Sequence, residues 1–211
     1  MRACFLALAS ALIATVAAAQ SPALDSRIDQ ELPSLVSTYK ALHAAPELSH
    51  HEDKTAALLA RELRGFGYEV TEHVGKYPRP EWQGHGTVAV MKNGAGPTVL
   101  VRADMDALPV EEQTVLPYAS HVHTTNDAGV DVGVMHACGH DIHVTSLIGT
   151  AKLLAAMKDQ WHGTLVLIGQ PAEERGGGAR AMFFTTLIGT APPGTAWGSP
   201  KLSVLRVSIQ E

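Results

Sequence analysis

The run Gly163-Thr164-Leu165-Val166-Leu167-Ile168 constrains the fold more than any other stretch of the chain. It is short and continuously apolar after its second residue, whereas a strand with one wet face alternates. Such a run reads as a strand covered on both faces, the habit of a parallel sheet in an α/β protein. The segment before it supplies one cover. Across 141–157, Val144, Leu147, Ile148, Ala151, Leu154 and Ala155 fall on one helical face. A helix leading back into such a strand begins near the carboxyl edge of the sheet, where open α/β sheets place ligands.

The rest of the chain supplies further elements. Residues 28–43 and 51–65 read as amphipathic helices separated by Ala45-Pro46-Glu47, the second ended by Gly65 and Gly67. Tyr68-Glu69-Val70-Thr71 alternates as a strand does. A second strand is expected over 87–91, then the turn Asn93-Gly94-Ala95-Gly96, with 97–101 as its hairpin partner. A short helix is expected over 179–188 and a strand from Leu202 to Ile209. The expected fold is α/β: a mixed, largely parallel sheet with helices on both faces.

Both ends differ in character from the middle. Met1-Arg2-Ala3-Cys4, the apolar run to Val16 and Ala17-Ala18-Ala19 have the layout of a signal peptide over 1–19 and predict export, to the periplasm in a bacterium. Residues 20–182 are expected to be the domain proper. From 183 to 211 the sequence gains Pro192-Pro193 and several glycines, and its only acid is Glu211. This atypical tail is expected not to belong to the domain before it. The net charge of -5 is spread without a basic stripe, which argues against nucleic acid and, once the signal is removed, against a membrane surface.

Chemistry concentrates in Met135-His136-Ala137-Cys138-Gly139-His140-Asp141. The only other cysteine, Cys4, lies in the segment expected to be cleaved, so Cys138 has no intrachain disulfide partner. A thiol between two histidines and beside an aspartate reads as a metal ligand, and thiolate with imidazole suits zinc and its neighbours. Gln170-Pro171-Ala172-Glu173-Glu174 follows the apolar strand, so its acids reach the same rim as Asp104 and Asp106 at the end of the strand from 97. In a vicinal Glu pair one carboxylate can hold a metal while the other takes a proton from water. Asp106 is expected to orient a ligand imidazole. His143, one turn beyond His140, reads equally well as a packed or a functional residue. His121 and His123 read as surface. Gly176-Gly177-Gly178 lacks the Lys-Ser/Thr of a phosphate loop and predicts no nucleotide.

Four blocks together resemble a known family: His43-Ala44-Ala45-Pro46-Glu47-Leu48-Ser49, Arg102 to Pro109, Met135 to His143, and Gln170 to Glu174. In this order they are similar to the amidohydrolase branch of the dinuclear metallopeptidases, which includes hippurate hydrolases and indole-3-acetyl-amino-acid hydrolases. The resemblance implies a zinc-exopeptidase-like catalytic domain and two divalent ions (zinc, manganese or cobalt). It implies Cys138, His140 and Glu174 as metal ligands and Glu173 as general base, hydrolysing the amide bond of N-acyl amino acids or small peptide-like amides. Relatives of this kind are expected to be homodimers, with an inserted dimerisation domain and two later histidine ligands that this sequence does not contain. A truncation, or a frame shift near Met182, is the expectation that follows, with weak or no activity for these 211 residues alone. The alternatives are a non-catalytic metal-binding remnant or interaction protein, and a thiol hydrolase with Cys138 as nucleophile.

Overall fold

The computed structural model describes residues 22–182 and the two-residue strand Ser203–Val204. The signal segment expected over 1–19 and nearly all of the tail from 183 lie outside the described residues. The elements are α1 (Pro22–His43), α2 (Asp53–Gly65), β1 (Glu69–Val74), β2 (Gly86–Asn93), β3 (Thr98–Asp104), β4 (His123–Thr125), β5 (Asp131–Gly133), α3 (His140–Ala156), β6 (Gly163–Gln170), α4 (Gly178–Met182) and β7 (Ser203–Val204). Among these, no helix is long and apolar enough to cross a membrane. The first helix starts six residues before the expected 28, because its opening turns are exposed and carry no apolar periodicity.

The main sheet runs β1-β2-β6-β3-β7, and β6 lies at its centre as its two-faced apolar character demands. Alternate residues serve the two faces. Leu165 and Leu167 join a core with Leu59 and Leu63 of α2 and Val144, Leu147 and Ile148 of α3. Ile168 packs on the opposite face with Val74, Val88 and Met182, the last from α4. The mixed α/β architecture therefore agrees with the expectation, and helices cover both faces of the sheet. Fully burying one Leu of this core contributes about 1.5–3 kcal/mol.

One expected pairing is wrong. Strands β2 and β3 are not hairpin partners: β6 inserts between them, antiparallel to β2 and parallel to β3. The turn at 94–97 instead passes over the start of β6, whose Thr164 N–H donates to the Pro97 carbonyl at 2.9 Å. Gly163 makes this crossing possible. Its φ is +113°, and a Cβ there would lie 2.2 Å from the Pro97 oxygen. The physical reason for the insertion is that an apolar strand with two unpaired edges gains a ladder on each side by lying centrally.

The parallel β3–β6 pair puts Asp104 directly beside Gln170 at the carboxyl edge. The Met105 N–H donates to the Gln170 carbonyl at 3.0 Å, which continues the contact past the strand ends. The chain beyond β3 is pinned by the Leu48–Ala107 and Leu108–Met135 bridges. Three loops are thereby gathered on one rim.

Candidate metal centre

Helix α3 begins at His140, and Gly139 before it adopts a left-handed conformation (φ 74°, ψ 23°) that turns the Cys138 loop into the helix. His140 is 2% exposed. Its Nδ1 donates to the Asp106 main-chain carbonyl at 2.7 Å and lies 3.5 Å from Asp106 Oδ1. That bond leaves Nε2 facing the Glu173 and Glu174 carboxylates, each 3.9 Å away. A ring nitrogen lone pair aimed at two carboxylates is repulsive unless a cation or a proton lies between them. Ligand atoms of Cys138, His140 and Glu174 all fall within 4.8 Å of one another. The three residues expected to hold metal are thus brought together from segments more than thirty positions apart.

The donors fit a divalent ion on two further observations. Glu174 Oε1 is buried with no hydrogen-bond partner, a costly arrangement for an acceptor that nothing neutralises. The Cys138 thiol is exposed and free. Desolvation, then the hydrogen bond to Glu174 and the charges of Glu174, Glu173 and Asp104, push its pKa up to about 11. A cation here would reverse that balance, because it favours thiolate where the carboxylates disfavour it. Asp104, His140 and His143 form a second group sharing His140. Asp104 is held by Arg102 Nη1 at 2.5 Å, yet burial outweighs that charge and pushes its carboxyl above the usual range. His143 Nδ1 lies 3.8 Å from Asp104 Oδ2.

Asp106 is fully buried and touches no open space. Its Oδ2 accepts from Ser49 Oγ at 2.6 Å and from the Glu174 N–H at 3.0 Å, and its Oδ1 accepts from the Glu173 N–H at 3.0 Å. Burial works against the charged carboxylate. The hydrogen bonds from His140, Ser49 and the two amides outweigh it and hold the group below the usual range. The imidazole is therefore oriented, but chiefly by the Asp106 main chain, while the carboxylate fixes the Glu173–Glu174 backbone. Glu173 is the most open of the acids, its side chain 40% exposed. His123 is exposed and paired with Glu111 and Asp131, as a surface residue should be.

Three supporting residues were given no role by the sequence: His43 and Glu47 lie in the first of the four blocks, and Glu52 lies outside all of them. Glu52 is fully buried, and its Oε1 accepts from the Ala172 N–H at 2.7 Å. Ala172 stands at φ +50°, immediately before the Glu pair. His43 is clamped between Asp141 Oδ2 at 2.7 Å and Glu112 Oε1 at 3.0 Å, which ties the end of α1 to the start of α3. Glu47 caps α2, accepting from the Lys54 and Thr55 amides at 3.1 and 2.8 Å. A cleft of about 520 Å³ opens beside the cluster, lined by Ser49, Leu108, Pro109, Asp127 and Glu174 among others.

Known proteins are similar to this chain. Residues 100–196 match the model of peptidase family M20/M25/M40. A hippurate hydrolase of Campylobacter jejuni is 46% identical over 143 residues, covering 67% of this chain and 32% of that protein. An N-acetyl-L-cysteine deacetylase of Bacillus subtilis is 40% identical over 146 residues, covering 69% of this chain and 31% of its own length. Among solved structures, the Bacillus subtilis YXEP protein, described as a dinuclear metal-binding peptidase of the M20 family, superposes with a TM-score of 0.64 at 36% identity. That match covers 76% of this chain and 41% of the other. The chain spans about a third of the length of the first curated relatives it matches. The sequence blocks, the sheet and the relatives agree: residues 100–196 carry a domain of peptidase family M20/M25/M40, and the chain spans part of the length of its relatives.

Proposed function

We propose that the protein takes part in metal-dependent hydrolysis of the amide bond of N-acyl amino acids or small peptide-like amides. The observation that carries this reading is the convergence of Cys138, His140 and Glu174 within 4.8 Å, beside a second, more open carboxylate on Glu173. Cys138 Sγ, His140 Nε2 and Glu174 would hold a divalent ion (zinc, manganese or cobalt) as part of a two-ion centre. When bound, the ion supplies Lewis acidity toward the scissile carbonyl and toward water. Glu173 accepts the proton of the attacking water and returns it to the leaving amine. Asp106 is a positioning residue that sets both His140 and the Glu173–Glu174 backbone. The cleft at Ser49, Leu108 and Pro109 admits a substrate of amino-acid size.

Relatives named for hippurate and N-acetylcysteine support the acylamino acid class. Among the described residues the two groups offer five donors between them, with His140 shared, fewer than two four-coordinate ions require, so we expect weak or no turnover by the 211-residue chain alone. The Met1–Ala19 layout supports the further proposal of export, checked by N-terminal sequencing of secreted protein. The central test is cobalt(II) titration together with hippurate and N-acetyl amino acid assays. Thiolate-to-cobalt charge-transfer absorption that disappears in Cys138→Ser, with chelator-sensitive hydrolysis once the ligand set is complete, supports the proposal. Cobalt uptake without turnover in the completed protein favours a binding remnant. Turnover blocked by alkylation but untouched by chelator points to a thiol hydrolase.

A further inference from the structure

A second cleft, of about 690 Å³, is assembled from four segments: His50 before α2, Lys76, Tyr77 and Trp82 between β1 and β2, Arg175 after β6, and Arg180 in α4. Among the described residues no carboxylate lines it and three cations do, in a chain whose net charge is -5. His50 is 3% exposed, and neither of its ring nitrogens has a hydrogen-bond partner. The Tyr77 hydroxyl is buried in the same condition. These groups cannot easily turn away to find partners. The His50 ring is stacked on Trp82 at 3.9 Å and 7°, with Tyr77 edge-on to it at 4.5 Å. Arg175 is fixed by Asp127 at 3.3 Å and reaches over the Trp82 ring at 5.8 Å. The Lys76 ammonium makes no ion pair among the described residues.

Buried, unpartnered polar groups are uncommon in folded proteins and call for a partner. Here they adjoin concentrated positive charge and an apolar wall. We propose that this cleft binds a small organic carboxylate. Lys76 and Arg175 supply the charge, Tyr77 Oη and a His50 ring N–H donate to the carboxylate oxygens, and the apolar part rests against Pro78, Trp82 and Ala181. None of Cys138, His140 and Glu174 lines the cleft, so the inference does not rest on the hydrolytic reading and stands or falls separately.

The test is calorimetric titration of benzoate into the metal-free chain. Saturable binding is expected, weakened about tenfold in Lys76→Ala and about threefold in Tyr77→Phe, and kept in Lys76→Arg. Lys92→Ala removes an exposed positive charge elsewhere and should change affinity by less than about twofold. A thermal melt of each variant confirms that it remains folded. Absence of saturable binding, equal losses in Lys76→Ala and Lys92→Ala, or inorganic phosphate binding as tightly as benzoate would each overturn the proposal.

Discussion

Two buried carboxylates hold three consecutive amides of the turn that presents the acid pair. Glu52 takes the Ala172 N–H, while Asp106 takes those of Glu173 and Glu174. Their titrations run in opposite directions. Burial pushes Glu52 from 4.5 up to about 8, so between those values the folded chain holds a proton that the unfolded chain has lost. The contribution of Glu52 to stability is therefore full at acid pH and falls as pH rises to about 8. Asp106 is held below its usual range, so its contribution is present above the ordinary aspartate value and is lost as pH falls through the folded one. Glu52→Gln keeps an acceptor for Ala172 but cannot ionise. Against wild type, the metal-free variant should gain stability between pH 5 and pH 8 in urea denaturation. A difference that does not change with pH would show that Glu52 does not titrate in the fold. Asp106→Ala strips the partners from Ser49 and two amides, and should cost about 2–4 kcal/mol at neutral pH by the same measurement.

At the scale of elements, the central strand explains what could be read in advance and what could not. The apolar character of β6 foretold a two-sided strand, and the periodicity of 141–157 foretold α3. Together they place Cys138, His140, Glu173 and Glu174 on one rim from sequence alone. The hairpin of β2 and β3 failed because turn residues report that a chain reverses, not whether another strand slips between its arms. The unsatisfied edges of β6 were the overlooked signal. The roles of Glu52 and His43 were illegible for a different reason: their partners lie 120 and 98 positions away, so that even the block containing His43 does not say what it holds. The crossing of the 94–97 turn over β6 is open to test through Gly163. Gly163→Ala would put a Cβ 2.2 Å from the Pro97 oxygen at a φ of +113°. It should destabilise the chain by about 2–4 kcal/mol, whereas Gly94→Ala, with open space around it, should cost only about 1 kcal/mol. Equal losses at the two sites would remove the crossing as the cause.

For the molecule as a whole, an ion held by the proposed donors would act as a staple between segments that are otherwise joined through the sheet, the core and Asp106. Cys138 and His140 belong to the loop that opens α3, and Glu174 belongs to the turn that leaves β6. An unfolded chain offers no such constellation, so an ion bound there stabilises the native state by mass action. At a hundredfold excess over the dissociation constant this is about 2.7 kcal/mol, or roughly 5–10 °C in Tm for a chain of this size. Zinc should raise Tm by that amount, chelator should reverse it, and Cys138→Ser and Glu174→Gln should abolish the response. The thiol proton must leave on binding, and its pKa of about 11 makes uptake weaken as pH is lowered. Glu173→Gln separates the two roles assigned to the acid pair. If Glu173 moves protons and Glu174 holds the ion, this variant keeps the zinc-induced rise in Tm and loses whatever hydrolysis of N-acyl amino acids the unaltered protein shows. A variant that loses the rise in Tm as well would make Glu173 a ligand, and the proton would have to pass through another group.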